Sequence, residues 1–329
     1  MNKRRLLLLA LSVGLCCNVV LLQAQTQAGS IRRVGVLAPS THAKEEITLK
    51  PFFDQMRELG WIEGRNIAYD RVYAGDRHEI LPKLAAELAA RRPDLIYAPP
   101  GSAAEAAKRA TPTIPIVFGA VIDPVRAGLV GSLARPGGNV TGVSTVAESL
   151  VSKRLELLRE ILPGVKRLGI LTDPTDPNSR TDQAALSPLA SGLGLAIVVA
   201  DASNPVAFEA AVAKLVRERV NAIFTTQSAM TFNLRARLIE IANRARVPVM
   251  GHRAQMADDG ALFSYSASLA DQLRRSADMV DKVLRGAKPG EIPVEQPTKF
   301  EFVVNMKTAK ALGIKIPQSI MLRADRVIE

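Results

Sequence analysis

Short runs of apolar residues recur along this chain, and each is followed by a stretch with helical periodicity. Val34 to Ala38 leads into a pattern carrying Phe52, Phe53, Met56 and Leu59 that ends at Gly60. Ile67 to Val72 leads into a stripe of Ile80, Leu81, Leu84, Ala85 and Leu88, and Asp94–Ala98, Ala103–Ala110 and Ile114–Phe118 repeat the unit. Later, Lys153–Leu162, Gln183–Ala190, Phe208–Val216 and Leu234–Arg244 read as helices, and Leu168–Leu171, Leu195–Ala200, Ala222–Thr225 and Val247–Met250 as strands. A strand that is apolar along its whole length must be covered on both faces, and parallel neighbours need crossover helices. The alternation therefore predicts an α/β class with parallel sheets, and the length of the chain favours two lobes over a single domain.

The rhythm breaks between Asp123 and Ser152, where Pro124, Pro136, Gly137, Gly138, Asn139 and Gly142 concentrate turn chemistry. We read that break as a first crossing between lobes, Ser264–Ser268 as a second, and the Pro-rich Lys288–Pro297 as a third. The expected division is an N-terminal lobe of residues 31–144 plus about 267–291, and a C-terminal lobe of 145–266 plus about 292–329. Several crossings suit lobes that move about a hinge.

Residues 1–28 read as a secretory signal peptide: Lys3, Arg4 and Arg5 precede an apolar run from Leu6 to Leu22, and small and polar residues follow. Ser12, Gly14 and Asn18 interrupt the run and no charged stop-transfer segment follows, which favours cleavage after Ala24 or Ala28 over a membrane anchor. Leu15 precedes Cys16, so the small residue that lipidation needs is missing, and Arg4-Arg5 leaves twin-arginine export open beside ordinary secretion. Both cysteines, Cys16 and Cys17, leave with the signal, so the exported chain has no disulfide and depends on its core, for which 47% apolar content suffices. The net charge falls by three, from +11 to +8. Cations and anions are interleaved throughout, which describes a solvated surface and not a nucleic-acid footprint.

In open parallel sheets ligands sit beyond the carboxyl ends of the strands, at helix N-termini with free N–H groups. The candidates there are Ser40 and Thr41 after the first strand, Gly101 and Ser102 after the third, and Val121 and Asp123 after the fourth. In the second half they are Asp173, Asn178 and Ser179, then Gln227 and Ser228, with Tyr265 ending a later strand. Each is also an ordinary cap or turn former, and only their recurrence after successive strands sets them apart. Asp123-Pro124 offers a carboxylate to a ligand amine, or a cap to a short helix beginning at Pro124.

Catalytic motifs are poor. His42, His78 and His252 are isolated, no metal-ligand spacing occurs, and neither a G-x-S-x-G elbow nor a P-loop is present. Gly137 to Gly142 is glycine-rich but precedes a strand, the wrong order for a dinucleotide fingerprint. Trp61, the single tryptophan, and Phe52 and Phe53 read as packing residues. No metal or cofactor is expected, and no enzyme activity.

Five segments carry a resemblance: Leu59-Gly60-Trp61-Ile62-Glu63-Gly64-Arg65-Asn66; Ile114 to Phe118 followed by Asp123-Pro124-Val125; Leu133 to Gly142; Gln296-Pro297-Thr298-Lys299-Phe300; and Asn305 to Gly313. Together they resemble the ABC-transporter substrate-binding proteins related to tryptophan/tyrosine-type importers, from about Ile31 to Glu329. The resemblance implies a type I periplasmic-binding-protein architecture: two Rossmann-like lobes with parallel sheets, a three-strand hinge and a ligand in the cleft. It also implies capture of a small solute and its presentation to an ABC permease in the inner membrane, by a monomer in the periplasm. The segment Pro39-Ser40-Thr41-His42-Ala43 falls at a variable place in that family and leaves ligand identity open.

A ligand touching both lobes favours the closed state, with Ser40, Ser102 and Asp123 on one side and Asn178, Ser179, Gln227 and Tyr265 on the other. Helix-terminus loops favour a carboxylate, hence an amino acid or another organic acid. The competing readings are an envelope enzyme, since fold does not set function, and a receptor that informs a membrane signalling protein. A transcriptional regulator would need a helix-turn-helix where this chain has its signal segment.

Overall fold

The computed structural model describes residues 31–145 and 147–329, so the signal-peptide reading and both cysteines lie outside the described residues. Two sheets organise them. The first contains β1 (Arg32–Ala38), β2 (Ile67–Tyr73), β3 (Leu95–Tyr97), β4 (Ile116–Ile122) and β5 (Val140–Thr145), all parallel, in the order β2-β1-β3-β4-β5. The second contains β6 (Arg167–Thr172), β7 (Ala196–Asp201), β8 (Ala222–Thr225), β9 (Val249–Gly251), β10 (Phe263–Ala267), β11 (Phe300–Asn305) and β12 (Arg326–Ile328), in the order β12-β11-β10-β9-β8-β6-β7. Its first five strands are parallel, and β11 turns antiparallel to β10.

Both sheets are covered on two faces, as uniformly apolar strands require. In the first unit one face buries Leu37, Ile96 and Phe118 against Ala85, Leu88, Ala103, Ala104 and Ala107 of the helices Leu81–Ala90 and Gly101–Ala110. The other face buries Phe52 and Met56 with Tyr97, and Phe52 stacks on Tyr97 at 3.9 Å. In the second unit Leu155, Leu158, Phe263 and Phe302 fill one face and Phe208, Leu215, Ile223 and Leu238 the other.

The long helix Leu269–Leu284, which strand-helix alternation alone did not anticipate, follows β10 yet packs on the first sheet. Leu273, Ala277, Val280 and Leu284 recur at helical spacing and close the Phe52–Tyr97 cluster. Polar contacts fasten it there: Tyr97 and Ser276 hydroxyls meet at 2.8 Å, Gln55 Nε2 donates to Asp278, and Trp61 Nε1 donates to Asp281 at 2.8 Å. Ile292 and Val294 are buried against the same unit, and the Ser144 amide donates to the Glu295 carbonyl at 2.7 Å. The chain thus leaves the first sheet after Glu295 and reaches β11 at Phe300.

The chain crosses between the units near residue 146, between Ala267 and Leu269, and between Glu295 and Phe300, and the crossings are tied together. Gln272 Nε2 donates to Thr145 Oγ1 at 2.8 Å, the Ser268 amide donates to the Lys299 carbonyl, and Lys299 Nζ pairs with Asp271.

Candidate functional site

The sequence candidates lie at the carboxyl ends of the strands and the helix starts beyond them, and they divide there into two groups. In the first unit Ser40 and Thr41 are half-buried, Gly101 is half-buried and Ser102 is exposed. The helix Gly101–Ala110 starts after Pro100 with no side-chain cap, so its first N–H groups are open to an anionic group. Thr41 likewise donates no cap to the helix His42–Thr48.

Other candidates already spend their polar atoms. Val121 is buried against Gly101 within the core, where it supports the loop and presents nothing polar to it. Asp123 adopts a left-handed φ of 43°, and its Oδ1 accepts from the Arg126 amide at 3.0 Å. A turn follows, and the helix expected to begin at Pro124 does not form, because the carbonyls of Asp123 and Pro124 take amides only as far as Val130. Asp173 Oδ1 accepts from the Thr175 amide and hydroxyl. Ser179 is fully buried, where its Oγ accepts from the Asp173 amide and meets Thr172 and Thr226 hydroxyls. Ser228 caps the helix Ala229–Asn233 through the Thr231 amide. These residues shape the loops; Asn178 and Gln227 remain half-exposed on them.

Tyr265 lies inside β10 and not at its end. Its ring stacks on Phe300 at 5.7 Å and meets Phe302 edge-on, so packing and not the loop surface receives the side chain. Only its carbonyl points into the polar wall, where it accepts from Arg154 Nε at 2.6 Å.

Sequence reasoning missed the group with the most distinctive electrostatics, at the end of β9. Arg253 is exposed on the loop after β9, near enough to Glu45 of the first unit for the two charges to act on each other. Desolvation and the cation of Arg235 push its pKa below the ordinary guanidinium value, partly opposed by Asp176 and by Glu45 of the first unit. Its guanidinium lies 4.7 Å from the Phe232 ring centre and forms no ion pair among the described residues. Arg235, over the same ring at 4.3 Å, is paired with Asp259 at 2.6 Å. Glu45 is buried, accepts from the Ser40 amide at 3.1 Å, and has its pKa raised by burial. A polar residue directly after the Val247–Met250 strand was the available signal, since Gly251-His252-Arg253 occupies the same position as the candidates that were named.

His252 is buried beside Thr225 Oγ1 at 3.1 Å and is held neutral by burial and neighbouring arginines, and among the described residues no group of three potential metal ligands occurs. No helix among the described residues is long and apolar enough to cross a membrane. The Gly137–Gly142 segment packs on the turn at Gly290, where a Cβ on Gly290 would lie 2.6 Å from the Gly138 carbonyl, and Gly137 and Gly138 take left-handed φ of 69° and 65°.

Two α/β units joined by three crossings form the two-lobe fold of periplasmic-binding-protein structures. The comparisons specify it further. The family described as ABC transporter substrate binding protein matches residues 33–328, and the chain belongs to that family of non-catalytic solute-binding proteins. It is 27% identical over 291 residues to a tyrosine-binding protein of Clostridioides difficile, covering 88% of this chain and 84% of that one. It is similar to an ABC domain of Streptococcus pneumoniae solved in complex with L-Trp, with a TM-score of 0.85, 27% identity and coverage of 91% and 100%. A ligand-free, open substrate-binding protein from Clostridium difficile matches with a TM-score of 0.69 and 26% identity, over 91% of this chain and 99% of that one.

Proposed function

We propose that this substrate-binding protein captures an aromatic L-amino acid in the cleft between its lobes and delivers it to an inner-membrane permease. The observation that carries the reading is Arg253, a cation with no ionic partner among the described residues and with the carboxylates of Asp176 and Glu45 in electrostatic reach. That arrangement suits a zwitterion: Arg253 takes the α-carboxylate, and the acidic side takes the ammonium. The open N-terminus at Gly101 and Ser102 faces the ligand from the first lobe, and Ser40, Thr41, Asn178 and Gln227 supply neutral polar contacts. The aromatic class is supported by the relatives, one named for tyrosine and one solved with L-Trp.

Binding works by hinge closure at the three crossings: a ligand contacting both lobes stabilises the closed state by its extra contacts there. Better agreement with the L-Trp-bound relative than with the open, ligand-free one, at nearly equal identity, supports a closed arrangement of the lobes. The chain is exported by its signal peptide, cleaved after Ala24 or Ala28, and works as a periplasmic monomer.

Calorimetry of the mature protein with L-Trp, L-Tyr, L-Leu and a hexose tests the reading. Heat with L-Trp or L-Tyr and none with the hexose is expected; a protein that binds none of the amino acids refutes it. Ser102→Ala combined with Gln227→Ala lowers affinity, and unchanged affinity removes those side chains from the site.

A further inference from the structure

Behind the loops of the second lobe lies an ion pair that the binding reading does not use. Arg154, on the helix Ala147–Ile161 that leaves the first crossing, and Asp182, on the helix Pro177–Gly192, are both fully buried. Arg154 Nε donates to the Tyr265 carbonyl at 2.6 Å and one Nη to the His252 carbonyl at 3.3 Å. Asp182 Oδ2 accepts from the Gln227 amide at 2.9 Å. Each partner therefore grips main-chain atoms: those of Gln227 and His252 lie just beyond β8 and β9, and that of Tyr265 lies within the neighbouring β10.

Stability is a poor explanation for the pair. The closest approach of the charges is 3.8 Å, and Arg154 Nη1 and Asp182 Oδ1 have no hydrogen-bond partner among the described residues. A buried pair with loose geometry and incomplete hydrogen bonding recovers little of its desolvation cost, and apolar replacements of similar volume are often neutral or stabilising. What apolar side chains cannot do is hold two carbonyls and an amide at once.

We infer that Arg154 and Asp182 are positioning residues for ligand capture, locking the main chain beside Gln227 and Arg253 so that both side chains are presented in one geometry. Asp182 sets the Gln227 main chain, and Arg154, by holding the His252 carbonyl, sets the peptide that leads into Arg253. Its second hold, on the Tyr265 carbonyl, anchors that peptide to the neighbouring strand. Preorganisation of this kind lowers the ordering cost of binding. The inference rests on the proposed site for its link to affinity, but the ordering of the loops can be read without any ligand.

The test is the double variant Arg154→Met/Asp182→Leu, followed by thermal unfolding, amide hydrogen exchange and calorimetry with L-Trp and L-Tyr. Expected are an unfolding midpoint at or above that of the parent, exchange at least tenfold faster over 226–228 and 252–254 but unchanged at Ile96 to Ala98, and at least tenfold weaker binding. A folded double variant with parental loop exchange overturns the inference, as does one with faster exchange and parental affinity. If the parent binds neither amino acid, the aromatic reading fails while the exchange measurement still decides the positioning role. Should the double variant not fold, Arg154→Lys keeps the charge but cannot reach both carbonyls; accelerated exchange at 252–254 is expected, and parental exchange there overturns the inference.

Discussion

Replacing Arg253 with Met separates a ligand-binding cation from a structural one. The side chain keeps its length and its apolar contact with Phe232 but loses the charge. A hydrogen bond to a charged group contributes about 1.5–3 kcal/mol, and at ~1.4 kcal/mol per decade of affinity the expected loss for an amino-acid ligand is about 10- to 150-fold. Stability should behave differently. The variant gives up the cation–π contact at 4.7 Å, worth ~0.5–2 kcal/mol, but it also removes repulsion from Arg235 and a charge with no ion-pair partner among the described residues. These contributions oppose each other, so the urea midpoint should stay near that of the parent. Arg235→Met is the control: it removes a charge beside the same ring but breaks the 2.6 Å pair with Asp259, so it should lower stability and leave binding close to parental. Calorimetry with L-Trp and L-Tyr beside urea denaturation reads both quantities. An Arg253→Met protein that binds as the parent does, or one that weakens binding only in step with lost stability, refutes the argument.

Two further outcomes follow from the packing. Gly142→Ala places a Cβ 2.2 Å from the Phe118 carbonyl oxygen in the paired strand β4, which must shift; a loss of about 1–3 kcal/mol or more is expected, visible as a lowered urea midpoint. Burial raises the Asp182 carboxyl to about 6 despite the opposing effects of Arg154 and of the Gln227 amide, with Asp176 adding to the rise. Between its unfolded value and about 6 the native state then holds the proton more tightly, so this group's contribution to stability is full below the unfolded pKa and is lost as pH rises through about 6. At ~1.4 kcal/mol per tenfold change in proton affinity, the drop has a ceiling of about 3 kcal/mol. Unfolding measured from pH 4 to 7.5 should show this slope in the parent and lose it in Arg154→Met/Asp182→Leu.

Much of the architecture was legible because strand burial and helix periodicity are local properties. Ala222–Thr225 was read to the residue, and β1, β2 and β6 were read within two residues at either end. Leu269–Leu284 was harder: its periodicity is plain, but that it packs on Phe52 and Tyr97, more than 170 positions earlier, depends on where the crossing returns the chain. The candidate site divided for a similar reason. Ser179, Ser228 and Asp173 are the residue types that bind ligands and also the types that close turns, and only their partners show which role each has taken. Arg253 and the Arg154–Asp182 pair escaped notice because an isolated charged residue in sequence looks like solvated surface.

The sequence by itself determined the α/β class, the succession of strands and helices, the strand ends at which polar loops gather, and a family resemblance along almost the whole chain. These follow from hydrophobic period and turn chemistry, which act over a few residues. Tertiary structure alone decided which polar groups are satisfied by neighbours, that Arg253 faces Phe232 with no ionic partner among the described residues, and which buried charges grip the loops from behind. Those properties are set by contacts between segments far apart in the chain, and by the removal of water around them, which no local pattern encodes.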